Sequence, residues 1–173
     1  MIKVFGTKVR QDGIYKIAEG LYELFYGFYT EPDGSTWEWR QKFAGKAPKP
    51  REIKDLILDT ISAEIDRRIL TGFSWQGLPV LFTEEQKFTH EVAFQASKDL
   101  QQIGAYQPVV LKLSEDEDRN DVVYRFETFE ELKAYHDAAF AFQQQVYAEA
   151  AAERRAIDWS KFDAVVDLTR TDP

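Results

Sequence analysis

The sequence predicts an α+β fold, in which β-hairpins alternate with three amphipathic helices behind an N-terminal antiparallel sheet or arm. In the first quarter of the chain, aromatic and β-branched residues form short runs bounded by turn residues, which is typical of strands. From Ile53 onwards, apolar residues recur at spacings of three and four, which is typical of helices. Helix-capping motifs begin at Thr83 and Thr128, and each follows a hairpin-like segment.

A proline-containing linker at 45–50 divides the chain. Its two closely spaced prolines interrupt any regular structure. We therefore predict three parts: an N-terminal β-rich arm or subdomain at 1–46, an α+β core domain at 47–166, and a frayed C-terminal tail at 167–173.

The N-terminal part contains a predicted hairpin at 21–43. The segment Pro32-Asp33-Gly34 has turn chemistry, since proline fixes φ and glycine accepts a positive φ. The strand that follows alternates with period two, so Trp37 and Trp39 share one face. An earlier strand is predicted at 14–17.

The aromatic side chains of this hairpin are candidates for a binding surface. They could line a protein-binding or sugar-binding face, because large exposed aromatic patches usually mark contacts. They could equally form the inner face of a sheet that packs on a helix, and an obligate oligomer would combine both roles. The candidates are Tyr22, Tyr26, Phe28, Trp37 and Trp39.

The linker precedes a predicted helix of about five turns. Its apolar residues form one stripe: Ile53, Leu56, Ile57, Ile61, Ile65 and Ile69. Gly72 ends this helix. The segment 73–82 then predicts a second hairpin, which turns at Gln76-Gly77.

Capping boxes begin the two later helices. The first helix, from Thr83 to about Leu100, carries four apolar residues on one face: Phe88, Val92, Ala96 and Leu100. The second runs from Thr128 to about Arg155, after strands predicted at 108–113 and 122–126. Each half of the segment 70–155 thus has the order hairpin, capping box and helix, which we call the internal echo. Two copies are too few to define a repeat architecture.

Composition excludes several classes of function. The net charge is −8, and an acidic chain without a basic stripe is a poor candidate for nucleic-acid binding. The absence of cysteine excludes disulfides, thiolate catalysis and thiolate zinc sites. No signal-peptide pattern and no apolar run of about 18 residues are present, so we predict a soluble protein without membrane insertion.

The search for catalytic motifs yields little. His90 and His136 each lie on a predicted helix, without a nearby second histidine or a suitably spaced carboxylate to make a HExxH-type site. This is typical of partly exposed helix histidines. Neither a nucleophile elbow nor a glycine-rich phosphate loop is present. We therefore predict a non-enzymatic protein without a cofactor. A pair of catalytic carboxylates stays open, because such a pair is defined by its separation in space.

The acidic segment that follows the predicted strand at 108–113 has the residue spacing of a calcium-binding loop. Asp116, Asp118 and Asn120 occupy positions 1, 3 and 5, and Glu127 occupies position 12. Position 6 is Asp121 instead of glycine, and the flanking segments are predicted strands. The sequence therefore favours a solvated acidic hairpin loop, with a calcium site as the alternative.

About two-thirds of the chain resembles a family of unknown function that is encoded near the tail and fibre genes of Bacteroides phages and prophages. The segments that carry the likeness occur in matching order: Ile53–Asp59, Ile69–Gly77, Glu84–Gln86 with Phe88, Ala93 and Phe94 with Ala96, Phe126–Leu132, and Ile157–Ser160. No catalytic residues come with this resemblance.

The resemblance implies a virion protein that is assembled in the cytoplasm of the bacterial host and binds other virion or tail proteins. A homo-oligomer is expected. The alternatives are a fibre-assembly chaperone that does not remain in the virion, and a carbohydrate-binding or carbohydrate-acting protein that uses aromatic and carboxylate side chains.

Overall fold

The computed structural model describes residues 1–7 and 11–169, and it confirms an α+β fold in which hairpins alternate with three helices. The strands are Ile2–Phe5 (β1), Gly13–Ala18 (β2), Leu21–Thr30 (β3), Thr36–Ala44 (β4), Phe73–Trp75 (β5), Leu78–Val80 (β6), Val109–Glu115 (β7), Asp121–Phe126 (β8) and Val165–Asp167 (β9). The helices are Pro50–Thr71 (α1), Glu84–Gln102 (α2) and Phe129–Ala156 (α3), and a short 3-10 helix spans Trp159–Phe162. None of the helices in this described part has the length and apolar character needed to cross a membrane.

The chain forms two compact units. The first, the sheet unit, comprises Met1–Ser62 and the segment from Arg154 onwards, and the second, the helix–hairpin unit, comprises Ala63–Glu153. The division of the chain into independently folding parts at 1–46 and 47–166 stays a prediction. Of the predicted frayed tail, residues 170–173 lie outside the described part of the chain.

The sheet unit contains a five-stranded sheet with the order β1-β4-β3-β2-β9. The predicted hairpin at 21–43 is confirmed as the antiparallel pair β3–β4. The edge strand β9 pairs in parallel with β2, where Ile14 lies opposite Val165. A three-residue strand gives no readable periodicity, so the sequence did not predict β9.

A β-bulge in β3 depends on Gly27. This residue has a φ of 62°, and its amide donates a hydrogen bond to Oδ1 of Asp12 over 2.9 Å. A Cβ atom at this position would lie 2.9 Å from the Tyr29 ring. The bulge therefore needs glycine, and it lets Tyr29 stack on Trp37 with ring centroids 4.1 Å apart.

The isoleucine stripe of α1 is buried, with each side chain between 0 and 7% exposed: Ile53, Ile57, Ile61, Ile65 and Ile69. Burying each side chain stabilises the fold by about 1.5–3 kcal/mol. The helix ends before Gly72, as predicted. A Cβ atom there would lie 2.5 Å from the carbonyl oxygen of Arg68, so only glycine fits this close approach.

The core of the helix–hairpin unit lies between two hairpins and the helices α2 and α3. The hairpin β5–β6 turns at Gln76 and Gly77, both with positive φ, as the sequence predicted. The amide of Leu81 donates to the carbonyl of Leu113 over 2.7 Å and links this hairpin to β7. The buried residues of this core are Val80, Phe82, Phe94, Leu111, Leu113, Phe126, Leu132, Tyr135 and Ala139.

The two predicted capping motifs start their helices in slightly different ways. At α2 the full capping box forms, because the Thr83 hydroxyl accepts from the Gln86 amide and the Gln86 side chain accepts from the Thr83 amide. At α3 the Thr128 hydroxyl accepts from the Glu131 amide over 3.2 Å. The Glu131 carboxylate accepts from the amide of Glu127, one residue before the cap.

Candidate binding groove

The apolar face predicted for α2 lies on the outside of the helix. Phe88 is 71% exposed, Val92 50% and Leu100 40%, and Ala96 is also exposed. The buried face of α2 instead consists of His90, Phe94 and Ser97. We call the exposed row of Phe88, Val92, Ala96 and Leu100 the α2 stripe.

A cavity of about 430 Å³ lies between α2 and α3, beside the N-terminal half of the α2 stripe. We call this cavity the groove. Its α3 wall includes Phe140, which is 59% exposed, next to the buried Ala139. The lining residues are Phe82, Glu84, Lys87, Phe88, His90, Glu91, Phe94, Leu132, Tyr135, His136, Ala139, Phe140 and Gln143.

A hydrogen-bonded pair of buried side chains forms the base of the groove. Nε2 of His90 lies 2.9 Å from the carbonyl oxygen of Lys112, which can only accept, so Nε2 carries the proton. Nδ1 of His90 therefore accepts the hydrogen bond from the Tyr135 hydroxyl, also over 2.9 Å. Burial lowers the pKa of His90 and raises the pKa of Tyr135, so both groups are neutral at neutral pH.

His90 is 8% exposed, and the prediction of a partly exposed histidine is therefore wrong for this residue. Its two ring nitrogens both find partners inside the unit, so its polarity is compatible with a core position. The prediction is confirmed for His136, whose side chain is 31% exposed.

The rim of the groove carries a histidine–carboxylate pair. The His136 ring stacks on Phe94, with centroids 3.9 Å apart, and its Nε2 lies 3.2 Å from Oε2 of Glu91. Hydrogen bonds from Gln95 and His136 lower the pKa of Glu91. Glu91 is therefore ionised at neutral pH and places a negative charge beside an apolar cavity. The Lys87 ammonium, in turn, lies 2.8 Å from Glu84.

The contacts across the groove join equivalent positions of the two capping-box helices. His90 meets Tyr135, and Glu91 meets His136, and both pairs are separated by 45 residues. The first residues of α2 and α3 are separated by the same interval. The internal echo was therefore the sequence signal from which the proximity of His90 and His136 could have been predicted.

The aromatic candidates of the sheet unit are partly withdrawn from solvent. Tyr26 and Trp37 are buried, and Phe28 and Trp39 are half-buried. The Trp37 indole donates to Oε1 of Glu31 over 2.6 Å, and the Lys3 ammonium lies 3.5 Å from the centre of its ring. Burial gives Tyr26 and Trp37 structural roles within the unit, and these contacts fix the position of the Trp37 ring. An interface role of the four residues stays a prediction.

The candidate calcium residues do not converge. The Asp116 carboxylate accepts hydrogen bonds from the amides of Asp118 and Asn120 over 2.9 and 2.8 Å, so it closes the β7–β8 turn. Glu127 follows the far end of β8 and pairs with Arg125 over 2.7 Å. The six-residue strand between them spans roughly 20 Å. Within residues 1–7 and 11–169, no cluster of three or more histidine or acidic side chains could hold a metal ion.

Among the described residues of the sheet unit, Glu23 and Glu38 are buried. Glu23 lies opposite Lys42, four residues along β4 from Glu38, so the two backbones are about 13 Å apart along the strands. The Glu38 carboxylate forms an ion pair with Arg40, with a separation of 2.6 Å. A catalytic pair of carboxylates stays a prediction, because such a pair is defined by the distance between the carboxyl groups themselves.

Comparisons of the chain with protein-family models, with curated proteins and with solved structures find no match. The groove offers exposed aromatic side chains, and two neutral side chains at its bottom, His90 and Tyr135, whose hydrogen bonds are made within the protein. The Glu91 carboxylate adds a negative charge at the rim.

Proposed function

We propose that the protein acts by binding other proteins through the groove and the adjoining α2 stripe, and not by catalysis. The observation that carries this proposal is the exposure of Phe88 and Phe140 on either side of one cavity. Contiguous exposed apolar surface usually marks a protein contact, and aromatic side chains dominate the energetics of such contacts.

The polar groups of the groove support a binding role. Both ring nitrogens of His90 are engaged with protein atoms, and the Tyr135 hydroxyl is bonded to His90. These groups therefore stabilise the walls of the groove. A cavity that combines apolar and aromatic side chains with polar groups in fixed positions is the usual form of a binding site.

The resemblance to the phage tail-region family makes other virion or tail proteins the proposed partners, with the virion as the final location and the host cytoplasm as the place of assembly. The acidic, cysteine-free composition is compatible with this proposal. Self-association of the chain into a homo-oligomer is part of the same proposal.

The test is co-expression of the chain with the products of neighbouring genes, followed by size exclusion with light scattering. We expect a stable complex with at least one neighbour, and mass spectrometry of purified particles should detect the chain. A soluble complex without the chain in particles would identify the fibre-assembly chaperone instead. A 20.1 kDa monomer that forms no complex with any neighbouring gene product would contradict both the virion role and the chaperone role. Saccharide binding by that monomer would favour the carbohydrate-binding alternative.

The groove is tested with the double variant Phe88→Ser and Phe140→Ser. Both side chains are largely exposed, so the fold should be retained while the complex weakens. The matched control is Val110→Ser on β7, which removes an exposed apolar side chain that does not line the groove. Equal loss of binding in the control and in the double variant would contradict the assignment of the site.

A further inference from the structure

We infer that the groove and the α2 stripe bind an amphipathic helix whose apolar side is flanked by lysine or arginine residues. This inference rests on the proposed function and specifies the chemistry of the partner. It follows from the length of the apolar surface, from the backbone of its walls and from the charge of its rim.

The apolar surface has the length of a short helix. From Phe88 to Leu100 the α2 stripe covers 13 residues, and the twelve rises between them span roughly 18 Å of helix. A partner helix of three to four turns presents apolar residues at every turn over the same distance, roughly 5.4 Å apart. The repeating side chains of the two helices can therefore interdigitate along the whole stripe.

The walls of the groove favour a helix over an extended peptide. Apart from Phe82, the lining residues lie on the helices α2 and α3, whose backbone amides and carbonyls away from the helix ends are bonded within each helix. An extended segment would enter an apolar groove without main-chain partners, and each buried unpaired group is costly. A helix satisfies its own backbone groups and brings only side chains to the surface.

The cavity provides space for bulky anchors. A volume of about 430 Å³ lies within the range of sites that enclose large apolar groups. Phe88 and Phe140 stand at its rim, and Phe94 lies deeper, under the His136 ring. Leucine or aromatic side chains one turn apart on the partner helix would fill this space.

The charge of the rim determines the sign of the flanking residues. Glu91 is ionised, and Glu84 and Glu85 lie in the first turn of the same helix. The Lys87 ammonium already lies beside Glu84, and the His136 ring already lies beside Glu91. On a chain with a net charge of −8, a basic flank is attracted and an acidic flank is repelled.

The test uses two synthetic helical peptides about four turns long, with the same leucine face and either lysine or glutamate on the polar face. Fluorescence anisotropy measures their binding to the full chain at physiological ionic strength. We expect the lysine peptide to bind at least about tenfold more tightly than the glutamate peptide. Glu91→Lys should reduce or reverse this preference, and Phe140→Ser should weaken binding of the lysine peptide by about tenfold or more.

Matched controls separate the groove from the general charge of the protein. Glu117→Lys makes the same charge change in the exposed β7–β8 turn, and Val110→Ser removes an apolar side chain outside the groove. Both variants should bind the lysine peptide as the wild type does. The inference is overturned if Glu117→Lys matches Glu91→Lys in effect, if the two peptides bind equally, or if neither binds.

Three outcomes distinguish failure of the helix inference from failure of the proposed function. A neighbouring gene product that still forms a complex, while the lysine peptide neither binds nor competes, overturns the helix inference and leaves the proposed function standing. If the wild type is a dimer that Phe140→Ser dissociates, and no peptide binds, the groove is assigned to a second copy of the chain. This outcome also overturns the helix inference. The absence of any protein complex and of any peptide binding overturns both proposals.

Discussion

The helices α1 and α2 carry apolar stripes of the same spacing, and the two stripes have opposite environments. In α1 the isoleucines that recur every four residues are buried almost completely. In α2 the side chains of Phe88, Val92 and Leu100 recur at multiples of the same interval and are largely exposed. Spacing therefore identifies a common face of a helix but does not determine whether that face enters the core.

The difference lies in what the other faces of each helix offer. Outside its isoleucine stripe, the first half of α1 shows exposed polar residues such as Lys54, Asp55 and Asp59, so only one face is suited to burial. In α2 the competing face carries Phe94, together with His90, whose two ring nitrogens are bonded by Lys112 and Tyr135. A face with one large aromatic ring and a fully bonded polar group can occupy the core, which leaves the α2 stripe outside.

The largest expected effect is a truncation within the α1 stripe. Ile57→Ala should lower the free energy of unfolding by about 2–5 kcal/mol, because it leaves a cavity at a fully buried position. Val92→Ala on the α2 stripe should change it by less than about 0.5 kcal/mol. Urea unfolding of both variants measures this contrast, and similar losses in the two would remove the distinction between the stripes.

A smaller effect is expected from the base of the groove. Tyr135→Phe keeps the ring but leaves Nδ1 of His90 buried without its donor, which should cost about 1–3 kcal/mol. Tyr124→Phe is the matched control, since its hydroxyl bonds Glu131 at a more exposed position. Equal losses in the two variants would show that the buried His90–Tyr135 pair contributes nothing particular to the inner face of α2.

The pH dependence of stability should carry the signature of the same histidine. Burial lowers the pKa of His90 in the folded state, so the unfolded chain binds the proton first as the pH falls. The stabilising contribution of neutral His90 is therefore complete above its ordinary pKa of about 6.5, and it is lost as the pH falls towards the lowered folded-state value. Urea unfolding between about pH 7 and pH 5.5 should show a steeper loss for the wild type than for His90→Gln. Parallel curves would contradict this assignment.

The smallest effect is expected from calcium. Because Glu127 is held at the far end of β8 from Asp116, the acidic turn lacks its position-12 ligand. The midpoint of thermal unfolding should be the same in excess calcium and in chelator. A calcium-dependent rise that disappears in Asp116→Asn would revive the calcium alternative.

Sequence reasoning succeeded where local patterns decide the structure. Spacing identified the α1 stripe, turn residues identified the hairpins, and Thr83 with Gln86 marked the start of α2. It was less informative where burial depends on distant partners. His90 becomes a core residue because Tyr135 and Lys112 approach it from other elements, and β9 forms because β2 offers it an edge.

The groove was visible in the sequence only as separate parts. Three features were each apparent in the sequence: the stripe with Phe88 and Val92, the two histidines, and the internal echo between the capping boxes. Their convergence depends on the packing of α2 against α3, which brings together positions that are 45 residues apart. No local spacing encodes that contact.

Equilibrium unfolding of Phe88→Ala tests the central claim most directly, namely that the α2 stripe is surface available for binding. Truncation of a core phenylalanine costs about 3–5 kcal/mol. With Phe88 71% exposed, we expect the free energy of unfolding of the variant to stay within about 0.5 kcal/mol of the wild type. A loss of core size would place Phe88 inside the fold and contradict the groove as a binding surface.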